Sequence, residues 1–433
     1  MKHRLIVGVT AAALAATALA GCGSSSSSSG SSGSSGGKVT LTFSSYAWQA
    51  PTVAANKKIV ADWNASHPDI QVQYVPVDAD SVHDKLVTQF SSHTAPDIIH
   101  DEADDIAGFA QQGYLDKLDS LLPADLKSGI PQGVWDSVTI NGGVYGVPSL
   151  LQSYTVFANT ALLKQDGITL PTASNPWTWQ QFQAAAKQAT TNGVFGVGWG
   201  LKSPVSTVIS MALNYGGSFF YTDGGKTTVK FGTAEQQVPK TIHDMIFQDK
   251  SIAPTTVTEA GSDVLPGFLG GKYAMIVGGN YLTQQILKDK TGDFQWTMLP
   301  LLKGDTQNQM ADPQTYSIAR QSKHPQQAMQ FLEYFLSAEH LSQLAQGDWL
   351  APSSTPAQQQ LLTDTKGQDG WDTVADSVKS LVNSPTSQLS SYPQWKSQIA
   401  TPAFQAYLAG SITLDQLGQK LTAGWTQVDA NGS

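Results

Sequence analysis

Tyr46 and Trp48 stand immediately after 39–45, a run that alternates branched and polar residues and so reads as a strand. The apolar alternation stops at Ser44 and Ser45, so both rings are expected at the end of that strand, facing a ligand. A flat aromatic face suits the C–H side of a pyranose, and planar polar side chains can pair two neighbouring hydroxyls. A second set of groups, Asp101, Glu102, Asp104 and Asp105, follows the short apolar strand 97–100. Charged acceptors contribute ~1.5–3 kcal/mol per hydrogen bond, enough to orient a polyol. The same acids also suit the N-terminal turn of the next helix.

Apparent catalytic signals fail on context. Gly33-Ser34-Ser35-Gly36-Gly37 matches a nucleophile elbow but lies in a Ser/Gly run with no strand or helix beside it. Gly224-Gly225-Lys226-Thr227 imitates a phosphate loop, yet Phe220 occupies the first glycine position. Neither Asp78-x-Asp80 nor 101–105 completes a calcium loop, and no histidine pair has zinc spacing. Hydrolysis of a glycoside needs two carboxyls on separate elements, about 5–9.5 Å apart, whereas these acids crowd one loop. A binding protein with no metal and no cofactor is therefore expected; a carbohydrate-active hydrolase, or a sugar sensor or adhesin not coupled to transport, is the alternative.

The elements that must position these groups alternate. Strand 39–45, helix 52–66 and strand 70–77 form a βαβ unit; helix 82–92, strand 97–100 and helix 106–112 follow. Such alternation predicts a mostly parallel sheet with ligands gathered at the carboxyl ends of strands. Asn141-Gly142 marks a hairpin turn. Strands are expected at 154–158, 273–277 and 294–299, and helices at 178–190, 205–215, 239–249, 281–288, 326–336, 338–346, 371–382 and 414–427.

Composition narrows the setting. Lys2 and Arg4 precede an apolar stretch, 5–20, that ends in Leu19-Ala20-Gly21-Cys22, and 23–37 is almost pure Ser and Gly. This order predicts a signal peptide over 1–21 and a tether over 22–37. Cys22 is the sole cysteine of the 433 residues, which leaves no disulfide framework. The pattern resembles the bacterial lipoprotein signal, which would make Cys22 the lipidation site and hold the protein on the outer face of a cytoplasmic membrane, of Gram-positive or actinobacterial type. The net charge of -9 argues against nucleic acid, which needs basic patches. With 14% charged residues, 11 Trp and 13 Tyr, the chain suits a neutral, hydroxylated ligand.

Seven further pieces fall in a recognisable order: His67-Pro68-Asp69-Ile70, Ala95-Pro96-Asp97-Ile98-Ile99, Phe109-Ala110-Gln111-Gln112-Gly113-Tyr114-Leu115, Val144-Tyr145-Gly146-Val147-Pro148, Pro176-Trp177-Thr178-Trp179, Phe268-Leu269-Gly270-Gly271-Lys272-Tyr273, and Lys323-His324-Pro325-Gln326-Gln327-Ala328. Together they resemble bacterial extracellular solute-binding proteins of sugar ABC importers, the maltose-binding-protein-like group. The resemblance implies an α/β, periplasmic-binding-protein-like type II fold: two α/β lobes, a central ligand cleft and multiple crossover strands. It places crossovers near 148–152, 299–303 and 320–323, with lobe one as 38–150 and 301–321 and lobe two as 151–300 and 322–433. It also implies a mono- or oligosaccharide ligand, ABC permease subunits as partners, and a monomer. Tyr281 stands where the family holds a stacking tryptophan, Asp104 aligns with its sugar-binding aspartate, and Gln152 takes a crossover position facing hydroxyls. Asp101 and Asp105 depart from the maltose relative, so the sugar is expected to differ. Asp78 with Asp80, Asp312, Trp199, Ser203, Trp349 and Trp395 lie in loops that reach the cleft in relatives.

Overall fold

A computed structural model describes residues 37–78 and 81–432, with side chains to Asp429. The signal peptide, Cys22, the tether to 36 and Asp80 lie outside the described residues. The strands that matter are β1 (Val39–Tyr46), β2 (Ile70–Val77), β3 (Ile98–Glu102), β4 (Val147–Leu151), β5 (Tyr154–Asn159), β6 (Phe195–Trp199), β7 (Tyr273–Gly279), β8 (Trp296–Met298), β9 (Gln309–Ala311), β10 (Pro313–Ile318), β11 (Ala351–Pro352) and β12 (Leu381–Asn383). They form a six-stranded sheet in the order β11-β4-β10-β3-β1-β2 and a four-stranded sheet in the order β8-β5-β7-β6, while β9 and β12 pair as a ribbon.

The first sheet starts as the βαβ pattern requires. β1 runs parallel to both β2 and β3, joined to β2 by helix α1 (Ala50–Ser66), which buries Thr52, Asn56, Ile59, Val60 and Trp63 at helical spacing. Phe43 is the hub beneath it, with ring centroids 4.9 Å from Phe335, 5.3 Å from Phe331 and 5.7 Å from Tyr316. The sheet is mixed rather than mostly parallel: β10 runs antiparallel to β3 and β4, and β11 antiparallel to β4. β10 arrives from the second sheet, so it enters opposite in direction to strands built by right-handed βαβ steps.

One crossing lies at the end of β4, near 148–152; the return comes after 299–303, since Leu299, Leu302 and Met310 still pack in the second core. The chain leaves the first sheet at the end of β4 and enters the second with β5, and it returns between β8 and β10. No crossing occurs at 320–323. The helices Pro325–Phe335, Ala338–Asp348, Thr355–Thr365 and Trp371–Ser377 stay on the first sheet, with Phe331, Leu341, Leu361 and Trp371 in its core. The third passage comes later, at β12, after which Tyr392, Trp395, Phe404 and Trp425 join the second core. Residues 325–377 therefore pack with lobe one, contrary to the expected boundary: Pro325–Phe335 meets α1 and β10, Ala338–Asp348 meets α1, and the next two helices stack on these and on β11.

Candidate ligand-binding cleft

The second sheet's first strand continues the line of β4, and that continuity builds the cleft. Leu150, Gln152 and Tyr154 fall at every second position across the crossover and all line one cavity. Asp312 and Gln314 repeat the device at the start of β10, where Pro313 holds Asp312 extended. Glu102 at the end of β3, Leu350, Met310 and Ser206 complete the lining. Ser206 lies in the first turn of the helix Val205–Ala212. Thus both sheets contribute, and nearly every group sits at a strand or helix end.

Beside this cavity the two lobes meet at two points. Trp48 and Tyr281 approach with ring centroids 5.1 Å apart at 59°. Lys396 Nζ lies 3.8 Å from Asp104 Oδ2. Gly279 explains the placement of the first pair: a Cβ there would lie 2.5 Å from the Tyr281 ring and 2.9 Å from Gln152, so only glycine lets both side chains fold over the end of β7. Lys396 owes its position to a widened π turn, Lys396–Ala400, between the helices Tyr392–Trp395 and Thr401–Leu408. Pro402 follows that turn; proline lacks the amide proton and clashes with the carbonyl four residues back, which a wider turn relieves.

Acid dominates the electrostatics. Burial, then repulsion by Asp104, pushes the Glu102 carboxyl up to about 7, with Lys396 opposing. Burial likewise raises Asp104 to about 6 against the pull of Lys396. Asp312 is raised well above the usual carboxylate range by burial and by Asp104 and Glu102. Burial works against the charge of Lys396, yet Asp104, Tyr392 and the other acids hold its ammonium well above the ordinary lysine range. Two groups, His83 with Asp101 and Asp105, and Glu102 with Asp104 and Asp105, bring one donor atom each within 4.8 Å of one another. Three ligand atoms fall short of the six to eight oxygens that calcium takes, and the second group already faces the Lys396 ammonium.

These shifts carry a sign. A carboxyl whose pKa is raised in the folded chain contributes stability below its ordinary value, ~4.5, that is lost as pH rises through about 7. The folded protein is accordingly expected to lose stability between pH 4.5 and 7.5 through Glu102. Glu102→Gln should flatten that part of the profile of melting temperature against pH; an unchanged profile would contradict this.

The structure sorts the expected site residues unevenly. Gln152 and Asp312 line the cavity; Trp48, Tyr281 and Asp104 flank it where the lobes touch. The others lie elsewhere. Tyr46 is interior: its hydroxyl donates to Asp101 Oδ1 at 3.2 Å and its ring stacks 4.0 Å from His100. Asp101 accepts that bond and the Glu102 amide proton at Oδ1. Trp199, 1% exposed, stacks on Trp179 in the second core. Trp349 stacks on Trp371 at 4.0 Å, and Trp395 is enclosed against Phe220 with Nε1 donating to the Leu421 carbonyl. Ser203 and Asp78 are exposed and do not line the cavity. Sequence reasoning named Glu102 only as one of the acidic group and missed Gln314, Ser206, Tyr154 and Lys396. The period-two run from Leu150 to Tyr154 was a signal that could have revealed Tyr154.

Two α/β lobes linked by crossing strands, with a polar cavity between them, define the class: a two-lobed binding protein. The chain belongs to the bacterial extracellular solute-binding protein family, whose pattern matches residues 46–341. It is 41% identical over 381 residues, 87% of this chain and 84% of the relative, to an uncharacterized lipoprotein in the oleD 5' region of Streptomyces antibioticus. In fold it is similar to the sugar-binding protein MalE of Xanthomonas citri, with a TM-score of 0.78 at 18% identity, covering 91% of this chain and 98% of that one. The GacH receptor of Streptomyces glaucescens, solved unliganded and with acarbose, gives 0.76 at 20% identity, covering 90% and 98%. Family and neighbours are binding proteins, and no described helix is long and apolar enough to cross a membrane.

Proposed function

We propose that this chain is the lipid-anchored substrate-binding component of an ABC importer, capturing a carbohydrate by lobe closure and presenting it to membrane permease subunits. The observation that carries the reading is the shared cavity: Gln152, Glu102, Asp312 and Gln314 from one lobe face Tyr154 and Ser206 from the other, beside the Trp48–Tyr281 ring pair. Planar amides and carboxyls pair hydroxyls, and rings cover the apolar face of a sugar. A ligand bridging both walls stabilises the closed form, and the permease reads that population shift. The sugars and sugar mimics bound by the relatives of this fold support a saccharide here.

A thermal-shift panel tests the ligand class. A saccharide at 100 times its dissociation constant adds ~2.7 kcal/mol of stability, a readily measured rise in melting temperature. Saccharides are expected to give that rise; a panel in which only amino acids, peptides or ions do so would remove the reading. For the anchor, Cys22→Ala is expected to release the protein from the membrane fraction into the medium. Retention of the variant would contradict lipidation at Cys22.

A further inference from the structure

We infer that the cleft is built for a saccharide bearing a protonated amine, which Asp312 and Glu102 hold from the first lobe with Gln314 beside them. This rests on the proposed sugar-binding reading and names the class of sugar. Composition pointed to an uncharged ligand, but composition averages over the surface, whereas the cavity concentrates carboxyl groups.

Glu102 and Asp312 line the cavity, and Asp104 stands beside it. Against these three acids the described residues set one basic side chain, Lys396, and it faces Asp104. Nearby Asp105 has His83 at 3.8 Å, and Asp101 has the Tyr46 hydroxyl. Tyr154, Tyr281 and Tyr392, the other titratable groups packed around the cluster, are all raised, by burial first, and so remain neutral phenols. Lys396 balances Asp104; Glu102 and Asp312 are left for the ligand.

Hydrogen bonding points the same way. Oδ1 of Asp312, which lines the cavity, meets no donor, while the buried Gln314 beside it turns its side chain to the His100 ring. Buried acceptors without donors are costly, so a fitting ligand brings donors rather than acceptors. An ammonium offers three donors and no acceptor, together with the compensating charge. A hydroxyl brings one donor with lone pairs of its own and leaves buried carboxylate charge unbalanced, or obliges the acids to take up protons. The sugar ring still finds Trp48, Tyr281 and Gln152, so one molecule can use both halves of the cleft.

The test is calorimetric titration at pH 7.0 with matched sets: glucosamine and its β-1,4-linked dimer and trimer, galactosamine and the amino sugar kanosamine, each against its N-acetylated and its hydroxyl counterpart. The tightest ligand is expected to carry a free amine and to weaken at least 30-fold when that amine is acetylated or replaced by hydroxyl. Asp312→Asn, with Glu102→Gln as a second isosteric variant, should reduce that ratio to below threefold. Circular dichroism and melting temperature check that each variant is folded. A tightest ligand that is neutral, or a free-amine preference unchanged in both variants, would overturn the inference while leaving the sugar-binding reading in place. Failure of every saccharide, charged or neutral, would overturn both.

Discussion

Tyr281→Ala is expected to weaken saccharide binding about 50-fold while shifting the melting temperature of the free protein little. A pyranose laid on the ring would cover on the order of 100 Å² of apolar surface, worth about 2.5 kcal/mol at ~25 cal/mol per Å², and tenfold in affinity corresponds to ~1.4 kcal/mol. The ring faces Trp48 across the seam between lobes and packs, partly buried, on the edge of the core past the end of β7, so its removal leaves the sheets intact. Tyr281→Phe keeps the face and is expected to bind within about threefold of the parent. Calorimetry on the two variants decides the matter: equal affinities for parent and Tyr281→Ala would show that the ligand lies elsewhere.

Trp199→Ala is expected to do the opposite. Fully buried tryptophan or phenylalanine truncations typically cost about 3–5 kcal/mol through lost burial and the cavity left behind. Trp199 is 1% exposed, with its ring 6.5 Å from Trp179, which in turn donates from Nε1 to Asn214 Oδ1 at 2.8 Å. Chemical denaturation should register the full loss. Saccharide affinity of the folded fraction should stay within about threefold, and a selective loss of affinity with unchanged stability would restore Trp199 to the ligand site.

The contrast between these two residues shows what the sequence carried. Strand ends and loops were legible, because β-type alternation, proline stops and glycine turns punctuate them; β2 runs over Ile70–Val77, as the alternation predicts. Which side chain of each segment faces the cleft was far less legible. Asp101 was named where Glu102 lines the cavity, Ser203 where Ser206 does, Trp349 where Leu350 does, and Trp395 where Lys396 reaches Asp104. Three of these differences are a shift of one residue, while Ser203 stands three residues before Ser206, outside the helix that begins at Val205. One residue turns a strand side chain to the opposite face and a helical one by about 100°, so a small error in register replaces a ligand contact with a core contact. Tryptophan adds a bias, since the same large ring that suits a sugar also fills a core. Lys396 had no local signal of its own, because the widened turn before Pro402 aims it. The misplaced third crossover has a related cause: amphipathic helices such as Pro325–Phe335 would fit either sheet, and only long-range packing on α1 and β10 selects the first.

Closure of two lobes on one saccharide can be measured directly by small-angle scattering at pH 7.5, with and without the tightest ligand of the thermal-shift panel at saturation. A bridging ligand is expected to shrink the radius of gyration by a clear margin and, at about ten times the parent's dissociation constant, to shrink it far less in Tyr281→Ala. A saturating saccharide that leaves the radius of the parent protein as it was would contradict capture between the lobes.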